Sequence, residues 1–309
     1  MRMITKISTK NMNRDEWLEL RRKTIGGSDA GAICGLNPYS SAYSVYADKL
    51  KLIAPAEDNE AMRQGRDLEQ YVAKRFSEET GKKVRRENAI LYNSEYPFAH
   101  ADVDRLIIGE DAGLECKTAN PLNNALYQSG SYPDHYYAQC MHYMLVTGKP
   151  KWYLAVLVFQ RGLYIFTVER NEEEIAVLAD IEKTFYENCI VNRMEPPTDG
   201  TRSTSEALSE RFTQSNGEQI DLGLYSSEIE QYFALKEQEK ELKKLMDEKC
   251  NAIKGFMKEA ERGNCGDHRV IWKTQERRAF DRKRFTEEHP EIDINEYTTV
   301  STTRPFKII

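Results

Sequence analysis

The stretch Val103-Asp104-Arg105-Leu106-Ile107-Ile108-Gly109-Glu110-Asp111-Ala112-Gly113-Leu114-Glu115-Cys116-Lys117-Thr118 decides the fold. Its residues 106–108 and 114–118 have strand length and strand composition, and the polar, glycine-bounded segment 109–113 between them makes a hairpin. Asp104 stands at the start of the first strand. Glu115 and Lys117 are two apart on the second, so they share one sheet face. Two carboxylates and an ammonium can therefore converge at one end of this hairpin. A hard divalent cation prefers oxygen ligands and keeps several waters, which two carboxylates plus a main-chain carbonyl such as that of Cys116 would permit. Lys117 could then orient an attacking water. The ordinary alternative is an ion pair between Glu115 and Lys117, and the same E-x-K spacing recurs at Glu241-Leu242-Lys243, where it reads as helix surface.

Working outward, residues 83–91 and 98–101 read as further strands, and 152–159 and 163–168 form a second hairpin across Gln160-Arg161-Gly162. Helices flank them. The first is signalled by Asn13 followed by Glu16 at three residues' distance, with Trp17, Leu18 and Leu20 apolar. A turn at Gly26-Gly27 follows, then a short helix capped by Ser28 or Asp29. A long helix over 60–80 repeats Leu68, Val72 and Phe76 every four residues and stops at Gly81. Helical spacing returns over 135–146 and 172–191. Helices before and after a mixed sheet define an α/β layered domain over 1–197. Residues 198–227, rich in Ser, Thr, Gly and acid, read as a linker or extension. An amphipathic helix is expected over 228–263, with a polar interruption at 236–241, and the alternating residues 269–272 and 298–309 suggest a small β appendage over 264–309.

The chain has 309 residues with 44 Lys plus Arg against 50 Asp plus Glu, a formal charge of −6, which excludes a uniformly basic nucleic-acid-coating protein. The balance of 30% charged and 40% apolar residues is that of a globular protein. The longest apolar run, 154–159, is far below the roughly 20 residues of a membrane helix. The first ten residues lack an apolar core or cleavage-like site, so no secretory signal and no membrane association are expected, and the location is expected to be cytoplasmic. Six cysteines without any C-x-x-C pair exclude a zinc knuckle and are expected to be reduced core residues. Basic residues cluster: 1–24 carries seven basic against three acidic residues, and 269–284 seven against two. Such clusters could carry DNA phosphates over an acidic body, or be solvated surface.

Three further pieces join the hairpin. Gly65-Arg66-Asp67-Leu68-Glu69 puts an acid on the helix before the sheet, and Tyr136 through Met144 puts Gln139 on the helix after it. The ordered set G-x-x-x-E, D-x(10)-E-x-K, Y-x-x-Q-x-x-x-Y-M and a following Thr147-Gly148 resembles the YqaJ-type viral recombinases, the lambda-exonuclease-like branch of the PD-(D/E)XK nucleases. The opening W-x-x-L-R-x(3)-I-G-G-S-D-A and G-L-N-P-Y, from Trp17 to Tyr39, resemble that family's amino-terminal signature. The likeness spans Trp17 to Val168.

The resemblance implies a restriction-endonuclease-like core and a metal-dependent deoxyribonuclease, a 5′-to-3′ exonuclease resecting duplex DNA ends for phage-type recombination. By it, Glu69, Asp104 and Glu115 hold Mg2+ (Mn2+ as the alternative), Lys117 is the catalytic lysine and Gln139 lies beside the centre. Arg21 and Ser28, seven apart, correspond to the pair that grips a DNA 5′-phosphate. A guanidinium and a hydroxyl at a helix start form a plausible anion site on physical grounds, although a solvated Arg21 is the plain alternative. Implied partners are duplex DNA ends, a single-strand annealing recombinase and a homotrimer around the duplex, in a bacterial host carrying a phage or prophage. Asp104 lacks the family's usual Pro and Gly neighbours, which makes Asp102 a competing ligand. His100, His135 and His142 lie near in sequence but suit a hard cation less well than carboxylates. Rival functions are a structure-specific or restriction-like endonuclease on the same fold, and a non-catalytic DNA-binding scaffold.

Overall fold

A computed structural model describes residues 3–55, 59–299 and 304–308. The chain divides into two compact units, Met1–Phe212 and Thr213–Ile309. The first opens with strand β1 (Ile4–Ser8) and helices α1 (Arg14–Arg22), α2 (Gly27–Ile33), α3 (Ala42–Lys49) and α4 (Glu60–Thr80). Then come β2 (Val84–Arg86), β3 (Ala89–Asn93), β4 (His100–Asp102), β5 (Arg105–Ile107) and β6 (Ala112–Ala119), followed by α5 (Asn124–Gln128) and α6 (Asp134–Thr147). The unit closes with β7 (Lys151–Val158), β8 (Gly162–Glu169), α7 (Glu172–Phe185) with a π-helical turn Tyr186–Val191, and α8 (Arg202–Arg211).

The central sheet has five strands in the order β2-β5-β6-β7-β8, and only β6 and β7 run parallel. That parallel pair requires a crossover, supplied by α5 and α6. A second, three-stranded sheet of order β1-β3-β4 lies in the same unit. The 83–91 strand expected from sequence is broken at Glu87-Asn88, so its halves join different sheets.

Strand alternation sorts the core onto two faces. Leu114, Tyr153 and Ala155 pack with Val72, Ala73 and Phe76 of α4. Trp152, Leu154 and Val156 point the other way, against Met141, Met144 and Leu145 of α6. Gly113 is where β6 passes over the Trp152 indole. A Cβ there would lie 2.2 Å from the ring, so only glycine allows the strands this close. Glu115 and Lys117, in phase with Gly113, therefore face α6.

The segment expected to be a linker contains α8, which belongs to this unit. Thr201 caps the helix, and Thr204 Oγ1 donates to Ser41 Oγ at 2.8 Å while Arg211 donates to the Tyr43 hydroxyl at 2.7 Å. Its Ser and Thr residues are spent on capping and buried hydrogen bonds, which composition alone reads as loop.

The second unit contains α9 (Ser226–Met257), an antiparallel pair β9 (Arg262–Cys265) and β10 (His268–Ile271), and α10 (Arg282–Glu288). The β appendage is thus this one hairpin. Residues 298–299 and 304–308 carry no strand, and the rest of the 298–309 reading lies outside the described residues. Among the cysteines, Cys140 and Cys189 are buried as expected, but Cys250 and Cys265 are exposed, on elements with little core of their own. No described helix is long and apolar enough to cross a membrane.

Candidate active site

The parallel pair β6-β7 and the crossover helix α6 create the site. Glu115 projects from β6 into the interface with α6, where it is 3% exposed. Its Oε1 accepts from Lys117 Nζ at 2.7 Å and from Gln139 Nε2 at 2.8 Å. Gln139 is fixed at both ends, because its Oε1 accepts from Lys117 Nζ at 2.9 Å and its amide also donates to the Tyr143 hydroxyl at 2.7 Å. Glu115 Oε2, by contrast, is buried without a hydrogen-bond partner. An unpaired carboxylate oxygen in such a place is costly unless a cation or water completes it.

Asp104 lies across the β5-β6 hairpin. Its Oδ2 accepts the Cys116 main-chain N–H at 2.8 Å. Burial, then the neighbouring Glu115 and Glu69 carboxylates, push the Asp104 carboxyl well above the usual carboxylate range, against the pull of Lys117. Burial likewise raises Glu115, opposed by Lys117. Desolvation would lower the Lys117 ammonium, yet Glu115 outweighs it and the net shift is upward. Two neighbouring, mutually repelling carboxylates, one with an unpartnered buried oxygen, suit the oxygen-ligand preference of a hard cation.

Glu69 reaches the same cleft from α4, but it ion-pairs with Arg105, whose guanidinium also donates to Gln70 Oε1 at 3.0 Å. Among the described residues no three acidic, histidine or cysteine side chains close into a ligand cluster. Asp102, the competing ligand, is taken up differently: its Oδ2 accepts the Trp17 indole N–H at 2.8 Å. The histidines stay out of the cleft. His100 bonds Thr24, His142 bonds Glu182, and His135 packs on the Tyr136 ring.

Arg21 and Ser28 come together as their spacing implied. Arg21 Nη2 donates to Ser28 Oγ at 3.0 Å, and its guanidinium lies 4.3 Å over the Trp17 ring. Arg21 stands in the last turn of α1 and Ser28 in the first turn of α2, and the junction between the two helices is pinned by a largely buried pair, Lys49 with Asp29 at 2.5 Å. Lys49 also donates to the Arg21 and Thr24 carbonyls, and Asp29 accepts the Gly26 N–H. Burial would raise the Asp29 carboxyl, but Lys49 and Arg21 outweigh it and bring it down to about 2. Arg21, Ser28, Glu69, Asp104, Glu115 and Gln139 line one cleft of about 440 Å³, with Trp17, Arg66, Arg86, Asp102 and Tyr143. Lys117 stands behind it on Glu115 and Gln139. The sequence motifs contain Trp17 and Tyr143 without indicating a partner for either, and nothing in the sequence marks Lys49 or Arg105 as parts of the site. The four-residue spacing of Trp17 and Arg21 on α1 was the one available sign of the first.

Sheet order, flanking helices and the placement of the acidic hairpin define a PD-(D/E)XK-type α/β core. The fold is shared with the alkaline exonuclease LHK-Exo of Laribacter hongkongensis in its complex with dAMP, at a TM-score of 0.50 and 20% identity, covering 58% of this chain and 93% of that one. Residues 16–150 match the YqaJ-like viral recombinase domain. The chain is 38% identical over 286 residues to the uncharacterized protein YqaJ of Bacillus subtilis, covering 91% of this chain and 90% of the relative. It belongs to the YqaJ-like viral recombinase family.

Proposed function

We propose that this protein is a divalent-metal-dependent deoxyribonuclease that degrades one strand of duplex DNA from its 5′ end, leaving a 3′ single strand for recombination. The observation that carries the reading is one cleft holding both the carboxylate pair Asp104 and Glu115, with Glu115 Oε2 buried and unpartnered, and an Arg21–Ser28 anion grip. Asp104, Glu115 and the Cys116 carbonyl are the residues to hold Mg2+ or Mn2+, with Glu69 joining from α4. A bound divalent cation supplies electrostatic stabilisation of the phosphate charge that builds up during hydrolysis.

The remaining work falls to the chain. Lys117 and Gln139, locked to each other and to Glu115, present an ammonium and an amide that orient the attacking water. Tyr143 holds the amide in place. Water adds at phosphorus, the bond from phosphorus to the 3′ oxygen breaks, that oxygen leaves with a proton, and a new 5′-phosphate remains on the shortened strand. Arg21 and Ser28 bind this phosphate and set the length of the next step. Arg66 and Arg86, on the cleft wall, add positive charge along the backbone path.

The test is the product pattern from a 5′-phosphorylated linear duplex with magnesium, beside closed-circular duplex. Mononucleotides and a growing 3′ overhang are expected; equal cutting of circles would sink the exonuclease reading. Glu115→Ala and Lys117→Ala should each lose about 100- to 1000-fold in cleavage while still binding DNA. Arg21→Ala should lower the rate on 5′-phosphorylated ends about tenfold or more, toward that on 5′-hydroxyl ends. Wild-type rates in the first two would leave a DNA-binding scaffold as the better account.

A further inference from the structure

The two side chains of the Arg21–Ser28 pair belong to different helices. Trp17 fixes the direction of the Arg21 guanidinium within α1, but the 3.0 Å approach to Ser28 depends on how α1 and α2 meet. A binding constellation must hold its donors in place to within about 0.5 Å, so the junction 23–26 matters as much as the pair itself. Its middle is held by the main chain and the core. Ile25 N–H donates to the Phe98 carbonyl and the Ile25 carbonyl accepts the His100 N–H, both at 2.8 Å, while the Ile25 side chain is fully buried in the cluster that holds Val45 and Tyr46 of α3.

The two ends of the junction are held by one ammonium. Lys49 is the last residue of α3, its side chain is 5% exposed, and its Nζ carries three N–H donors. One acceptor stands on each of three parts of the chain. These are the Arg21 carbonyl at the end of α1 at 3.0 Å, the Thr24 carbonyl in the junction at 2.8 Å, and the Asp29 carboxylate in the first turn of α2 at 2.5 Å. Asp29 Oδ2 in turn accepts the Gly26 N–H at 2.8 Å, which closes the ring back onto the junction. A buried ion pair adds little net stability over well-packed apolar side chains, because both charges lose their water. An apolar pair, however, would leave the Arg21 and Thr24 carbonyls without these donors and the two helix ends without a common tie. With three donors spent on three acceptors inside the chain, Lys49 has none left for a DNA phosphate.

We propose that Lys49 and Asp29 are positioning residues for the phosphate grip: without touching DNA, and through Arg21 and Ser28, they set the preference for 5′-phosphorylated ends. The proposal rests on the reading of Arg21 and Ser28 as that grip, and not on the cleavage chemistry.

The full chain is titrated, in EDTA so that no strand is cut, against short 3′-labelled linear duplexes carrying 5′-phosphate or 5′-hydroxyl ends, with fluorescence anisotropy as the readout. The wild type is expected to bind the phosphorylated duplex more tightly. Lys49→Met should reduce that preference about three- to tenfold, with the loss falling on the phosphorylated duplex. Asp29→Asn, which keeps the shape and removes the counter-charge, should give a smaller loss of the same kind, and Lys49→Arg should retain most of the preference. On an Arg21→Ala background Lys49→Met should cost little further, because it acts through the grip. Circular dichroism melts check that each variant is folded at the assay temperature; if Lys49→Met is not, Asp29→Asn decides. An unchanged preference in the folded variants overturns the proposal, as does an equal weakening on both duplexes, which marks a general structural role. A loss that adds in full to that of Arg21→Ala overturns it too, because Lys49 would then act on DNA independently of Arg21. A wild type indifferent to the end group removes the grip and this proposal together. Cleavage with magnesium is read separately: a protein that prefers phosphorylated ends but cuts nothing loses the nuclease reading alone.

Discussion

Trp17 joins the two ends of the cleft. Its ring carries the Arg21 guanidinium at 4.3 Å while its indole N–H reaches Asp102 at 2.8 Å, and Asp102 ends the strand from which the chain turns into Asp104. These two contacts of Trp17 thus tie the Arg21–Ser28 pair, the proposed phosphate grip, to the carboxylate hairpin. Trp17→Phe keeps a ring for the guanidinium but removes the donor, leaving a largely buried carboxylate short of a partner. A loss of about 1–3 kcal/mol in unfolding free energy is expected, together with a reduced preference for 5′-phosphorylated over 5′-hydroxyl DNA ends. A variant that melts and discriminates like the wild type would reduce Trp17 to packing. At this scale the sequence is informative within an element and silent between elements. The four-residue step from Trp17 to Arg21 and the two-residue step from Glu115 to Lys117 are periodicities of helix and strand. The Trp17–Asp102 bond and the Glu69–Arg105 pair span dozens of residues, and only the folded chain brings them together.

Among the elements, α6 has the most varied set of neighbours. Residues Ala138 to Val146 are all buried, so the helix is core on every side, and its polar residues must find internal partners. Gln139 and Tyr143 do so in the cleft. His142 has both ring nitrogens engaged: Nδ1 lies 2.7 Å from Glu182 Oε1 on α7 and Nε2 2.8 Å from the His100 carbonyl on β4. The carbonyl can only accept, so Nε2 donates to it, and a protonated Nδ1 would donate to Glu182. Burial would depress its pKa, but Glu182 and the carbonyl overcome this and the net shift is upward from 6.5. Other titratable groups at hand are Asp29, which adds to the rise, and Cys34, which burial and Glu182 push up to about 11. A folded pKa above the unfolded one gives stability that is complete below about pH 6.5 and is lost as pH rises through the raised value. Glu182→Gln should therefore destabilise the protein most at mildly acidic pH, by about 1–3 kcal/mol. The gap to the wild type should narrow toward alkaline pH. A gap that is constant from acid to alkaline pH in thermal melts would show that the pair does not titrate there. Helical spacing marks α6 from sequence, but an apolar-rich helix has no visible outer face, so the direction of His142 is not legible.

For the whole molecule, the net charge of −6 coexists with a cleft that gathers Arg21, Arg66, Arg86 and Arg105 among its acids, so the global figure constrains a coating protein and not a gripping one. The layered core was readable because strand alternation and helix spacing extend over long segments. The end of the first unit was not, because α8 is built from polar residues whose role is contact. Pro196-Pro197 followed by Ser, Thr and Gly reads as a domain edge, yet the compact unit continues to Phe212. Within the added segment Ala207 and Thr204 are buried, Thr204 bonds Ser41, and Arg211 bridges Tyr43 and Glu195. Truncation discriminates the two boundaries. A chain ending at Phe212 keeps every one of these contacts and should unfold in one cooperative transition. A chain ending at Pro197 leaves the Ser41 and Tyr43 hydroxyls without those partners and uncovers the α3 surface beneath Ala207, a loss of about 2–3 kcal/mol. For a unit of this size that corresponds to a melting temperature lower by about 5–10 °C. Equal melting of the two truncations would show α8 to be an attachment that the core does not need.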